Sequence, residues 1–82
     1  MDKRSQSIQG KEIAEKRRLM FERHGGLLCP KDLARELGYA HYEDAERWAR
    51  ERGIPAVPLG QRKRGYEVDL VAKAIVQGRG MV

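Results

Sequence analysis

Glycine and proline divide this chain into segments that allow only a few helical turns each. Gly25-Gly26, Gly38 and Gly53 follow runs of helix-forming residues, and Pro30, Pro55 and Pro58 stand where helices begin or are forbidden. Glycine just past a periodic apolar run reads as a helix C-cap, and proline at a first helical position reads as a start. The stretch from Lys11 to His24 is predicted as a helix with Ile13, Met20 and Phe21 on one face and Arg17 between them. Arg23 and His24 fall at its end, where the helix dipole favours cations. Residues 1–9 are polar and predicted to fray. A second helix is predicted over Pro30–Leu37, with Leu33, Ala34 and Leu37 as its apolar face and Asp32 in its first turn. The third runs over Tyr42–Arg52, with Ala45, Trp48, Ala49 and Arg52 sharing a side.

After Gly53 the pattern changes. Ile54–Leu59 holds two prolines, which forbid helix and suit a short edge strand. Gly60–Gly65 reads as a turn, Tyr66–Val68 as the returning strand of a hairpin, and Asp69–Val76 as a last short helix presenting Leu70, Val71, Ala74 and Ile75. The expected layout is a flexible segment 1–10, one domain over 11–78 with its core in 28–76, and a tail 79–82. At 82 residues there is room for a single core.

Composition narrows the function classes. No apolar run approaches the ~20 residues that span a bilayer, and no apolar stretch follows the N-terminus as a secretory signal requires. A cytoplasmic protein with no membrane association is the expectation. The single cysteine, Cys29, has no internal disulfide partner and is expected to pack as a small buried apolar residue. With two histidines it falls short of a closed four-ligand zinc site, so neither metal nor cofactor is expected. No nucleophile–base pair, carboxylate pair or phosphate-cradling glycine loop stands out, which favours a binding protein over an enzyme.

Charge points to the ligand class. Seventeen Lys and Arg against twelve Asp and Glu give a net charge of +5. The excess lies at the two ends: +3 in residues 1–26, −1 in 27–53 and +3 in 54–82. Its densest cluster, Arg62-Lys63-Arg64, is bracketed by Gly60 and Gly65 at the hairpin tip. Such a cluster reads as a contact to the phosphate backbone or minor groove, against the alternative of a turn that only keeps the protein soluble. The helix–glycine turn–helix–hairpin–helix order is that of a winged helix-turn-helix, whose second helix offers a polar face to a major groove about 12 Å wide.

Residues 28–76 resemble the excisionase-like and AlpA-like branch of the MerR-type winged helix superfamily. The resemblance rests on Pro30-Lys31-Asp32-Leu33-Ala34-Arg35-Glu36-Leu37-Gly38, on Arg47-Trp48, on Gly53-Ile54-Pro55-Ala56-Val57, and on Gly60-Gln61-Arg62-Lys63-Arg64 followed by Tyr66-Glu67-Val68-Asp69-Leu70. It implies a mostly α fold with a small β-hairpin, here a winged helix-turn-helix with an additional N-terminal helix. It also implies a DNA-binding protein of a prophage or mobile element, acting as an excisionase (a recombination directionality factor), as a transcriptional regulator, or as both. The implied partners are double-stranded DNA, an integrase, and further copies of the chain bound cooperatively on DNA, which would make it nucleoid-associated. A plain repressor or activator and a phage-encoded protein-interaction module remain the alternatives. Small terminase DNA-recognition domains share the fold but need an oligomerisation region.

The candidate DNA-binding residues are His41, Tyr42, Arg47, Arg50, Arg62, Lys63 and Arg64. Arg47 and Arg50 project from the third helix, where arginine reads guanine or grips phosphate. Their alternative is a surface pairing of Glu43 with Arg47 or Glu46 with Arg50. His41 and Tyr42 open that helix, where side chains meet phosphate or base edges, or simply fill a turn. Glu43 and Asp44 beside them repel phosphate. Arg17 and Arg18 read as a solvated helix face, and Trp48 as core.

Overall fold

The computed structural model describes the backbone of residues 3–79 and the side chains of residues 10–78. It is mostly helical with a small three-stranded antiparallel sheet. In chain order the elements are α1 (Lys3–His24), β1 (Leu27–Leu28), α2 (Pro30–Leu37), α3 (Tyr42–Glu51), β2 (Val57–Pro58), β3 (Arg64–Glu67) and α4 (Val68–Arg79).

Each of the first three helices stops where the sequence places a glycine, and Gly25, Gly38 and Gly53 all take positive φ. At Gly38 the chain turns left-handed, with φ +79. The Gly38 amide donates to Arg35 O and the Tyr39 amide to Ala34 O, at 3.3 and 2.9 Å. These two bonds close the end of α2 as a Schellman cap. The start of α2 departs from expectation. Cys29 is exposed rather than packed, and its Sγ accepts the Asp32 amide at 3.4 Å as the N-cap. The first orphan amides of the helix need an acceptor, and the thiol supplies one.

Helix α1 begins at Lys3, eight residues before the predicted Lys11, because nothing between them breaks a helix once Gly10 is tolerated. Residues 1–2 of the segment expected to be flexible, and 80–82 of the tail, lie outside the described residues. Of the face predicted for α1, Met20 is fully buried and Ile13 half-buried, whereas Phe21 is 58% exposed. Positions 13 and 20 lie almost in line on a helix; position 21 is rotated about 100° from 20 and leaves the core.

The sheet has the order β1-β3-β2. Leu28 pairs with Tyr66 and Val57 with Gly65. The sequence shows no sign of β1, since two leucines show no alternation; the first hairpin strand is shorter than predicted, and the second begins two residues earlier, at Arg64. Ile54–Ala56 stay outside β2, and Val68 belongs to α4. Gly65 is favoured by packing. A Cβ there would stand 3.2 Å from Leu27 Cβ and 3.1 Å from Leu59 Cδ1.

The face of α4 is also turned from its predicted position. Val68, Val71, Ala72 and Val76 are buried, Ala74 and Ile75 partly so, and Leu70 is 37% exposed. The Val68 amide donates to Gly26 O at 3.0 Å, fixing the helix start one residue early and carrying Val68 into the core. Helix α4 packs along α1, and α2 packs on α3. One apolar cluster joins Met20, Leu28, Leu33, Ala45, Ala49 and Val71, so a residue from α1, β1 and each later helix meets in the same core.

A polar tie fastens the end of α1 to α2. Glu36 receives Arg23 Nη2 across both its oxygens, at 2.9 and 3.0 Å, and His24 Nε2 lies 2.8 Å from its Oε1. The other ring nitrogen of His24 stands 3.6 Å from Asp32 Oδ2. Trp48 is half-buried against the core as expected, with the Arg52 guanidinium 4.5 Å above its ring.

Candidate nucleic-acid interface

The turn between β2 and β3 spans Gly60–Lys63 and is closed by the Leu59 amide donating to Lys63 O at 2.8 Å. Its base is fastened to α3. Arg64, the first residue of β3, grips Glu46 through Nε and through Nη2, the latter at 2.6 Å. Tyr66 Oη donates to the same carboxylate at 2.8 Å. The hydrogen bond from Arg64 holds the Glu46 carboxyl below the usual glutamate range, against the opposing effect of burial, and the Tyr66 hydroxyl adds to the lowering. Burial, and then the bond to Glu46, push the Tyr66 phenol up. The Arg64 guanidinium is held still further above its ordinary value by Glu46.

This tie revises the reading of two residues. Arg64 is a cross-brace between the hairpin and α3 rather than a free cation at a loop tip. Glu46, weighed as a partner for Arg50, instead reaches across to β3. The sequence offered no signal for it, since the two residues lie eighteen positions apart. Arg47 pairs with Asp44, Nη2 to Oδ1 at 2.9 Å, and not with Glu43. Arg17 stands 3.7 Å from Asp69, and Arg18 pairs with Glu22 on the solvated face of α1.

The remaining candidates divide between two neighbouring hollows. Tyr42, at the start of α3, lines one open hollow together with Arg62, Lys63 and Arg64 of the hairpin and Lys31 of α2. No carboxylate lines it. Along the same side, Tyr42 and Lys31 also border a second groove with Arg35, Tyr39, His41 and Glu43. His41 is the N-cap of α3 and its side chain makes no cap bond. Arg50 faces elsewhere, into a hollow with Glu43, Glu46, Arg64 and Tyr66. The structure thus gathers Tyr42, His41, Arg62 and Lys63 on one continuous surface and sets Arg50 on its flank. Arg47 borders none of these three hollows.

Among the described residues, Lys31, Arg62 and Lys63 form no ion pair. Three unneutralised cations and a phenol around a hollow free of acid can hold an anion, with the phenol as a neutral donor. Lys31 escaped the sequence reading because it lies in the helix assigned to the scaffold. Among the described residues no group of three or more His, Cys, Asp or Glu side chains is arranged to hold a metal, and no helix is long and apolar enough to cross a membrane.

No protein-family model, curated protein or solved structure gives a significant match to the chain.

Proposed function

We propose that this chain is a winged helix-turn-helix DNA-binding protein, in which α2 and α3 form the helix-turn-helix and the β2–β3 turn is the wing. The observation that carries this reading is the shared surface: Tyr42, which opens α3, and the unpaired cations Arg62 and Lys63 of the turn line one hollow that contains no acid. The Schellman-capped turn at Gly38 and the packing of α2 on α3 support it. So does the brace from Arg64 to Glu46, which holds the wing at a fixed position beside α3. Helix α3 enters the major groove, and Arg62 and Lys63 contact the adjacent backbone or minor groove. Glu43 stays among the bases, where a carboxylate accepts from cytosine N4, and Asp44 is neutralised by Arg47.

The role is that of an excisionase, a transcriptional regulator, or both, in a prophage or mobile element; this part rests on the resemblance of residues 28–76. An integrase and further copies of the chain are its proposed partners. So few base-reading side chains give one copy limited specificity, which favours cooperative binding at adjacent sites.

A salt titration of duplex binding, read by fluorescence anisotropy, tests the proposal. With four to six phosphates neutralised, log K falls against log salt with a slope of about −4 to −5. Replacing Arg62 and Lys63 together by alanine flattens the slope by about 1.8, at roughly 0.9 per phosphate. Arg64 is left intact because it holds Glu46. Absence of binding to any duplex at low salt overturns the reading. Excision by an integrase supplied with and without this protein separates recombination from transcriptional control.

A further inference from the structure

The hollow beside the hairpin has a wall that belongs neither to the wing nor to α3. Lys31, the second residue of α2, lines it opposite in sequence to everything else that gives it charge. The flanking hollows both contain acid: Glu43 in one, and Glu43 with Glu46 in the other. Of these three hollows among the described residues, this one alone brings cations from separate elements together with no carboxylate in its lining, and Lys31 is exposed, so its ammonium is free to meet a ligand.

We propose that this hollow is a seat for a short run of adjacent phosphodiester groups of the nucleic-acid backbone, with Lys31 as a binding residue. The inference rests on the DNA-binding reading and adds a contact from the scaffold helix. Lys31 supplies charge from α2, Arg62 and Lys63 supply it from the turn, and the Tyr42 hydroxyl adds a neutral donor from α3. Backbone held there touches all three parts of the fold at once. It therefore sets where α3 lies along the duplex, while carrying no base preference itself. Phosphate is the anion that suits the seat, because its oxygens accept from several donors and its charge is matched by point cations such as lysine.

The test compares Lys31→Ala with Lys73→Ala, an exposed lysine of α4 that borders none of these hollows. Both variants lose one unit of charge, and neither side chain is buried, so circular dichroism should report an unchanged fold. Binding to a short duplex of arbitrary sequence is followed across salt concentrations. Lys31→Ala is expected to bind roughly five- to tenfold more weakly near 0.1 M salt and to flatten the slope by about 0.9, while Lys73→Ala keeps the wild-type slope. Lys31→Ala and Lys73→Ala sharing one slope, with the wild type still binding steeply, overturns the seat and leaves the DNA-binding reading standing. A wild type that binds no duplex overturns both. A further arm adds inorganic phosphate at constant ionic strength. Millimolar phosphate is expected to weaken wild-type binding more than Lys31→Ala binding, and equal weakening of the two overturns the seat.

Discussion

Glu46 shows how one carboxylate can set the position of a distant loop. Its native pKa is depressed by Arg64, so its contribution to stability is complete above the ordinary glutamate range. That contribution fades as pH falls through the lowered native value, where the carboxyl must take up a proton and release the guanidinium. Glu46→Gln is expected to cost about 1–2 kcal/mol near neutral pH, a modest figure because the pair is partly exposed. The gap between wild type and variant should close as pH drops from 6 toward 3. Urea denaturation at a series of pH values measures it, and a gap independent of pH would rule out the charged tie. Nothing in the order of residues foretold this pair. Helical spacing reveals neighbours three or four apart, whereas Glu46 and Arg64 meet only after the hairpin folds back on α3.

At the level of elements, legibility followed punctuation. Helix α2 was bounded correctly because Pro30 and Gly38 act through backbone geometry, which no tertiary contact needs to supply. Gly38→Ala forces an L side chain into the left-handed region and should cost roughly 1–2 kcal/mol, seen as a fall in the thermal midpoint. Space is not the obstacle, since a Cβ at Gly38 meets nothing within 4 Å. A null effect would mean that the cap is dispensable. Where punctuation was absent the boundaries slipped. The start of α1 has no stop signal, and β1 exists only because β3 arrives beside it. The buried face of α4 was misread for a related reason. Apolar residues cover most of that helix, so the tether from Val68 to Gly26 and the packing along α1 set which of them turn inward.

Across the whole molecule, one core joins all four helices with β1 and β3, and damage at its centre should be felt in each of them. Leu33 is fully buried where α2 meets the cluster shared by the other helices. Leu33→Ala is expected to lose about 2–5 kcal/mol, a large part of the stability of so small a domain, in one cooperative transition. Separate melting of α1 and of the hairpin region would contradict a common core. The candidate surface was only half legible at this scale. The basic run at 62–64 announced itself by density, but one of its three cations proved to be internal bracing. Lys31, hidden among scaffold residues, took its place on the surface. Charge counts along a chain cannot distinguish a cation that is spent on the fold from one left over.

The middle strand of the sheet bears on how tightly the turn can grip anything. Strand β3 is bonded to β2 over its first half and to β1 over its second, and the chain on the other side of the turn is pinned through Leu59 and Lys63. Gly60–Lys63 is therefore a short arc with both feet planted. Meeting a partner asks it to surrender little backbone freedom, and the entropic penalty of association falls on the long side chains of Arg62 and Lys63 instead.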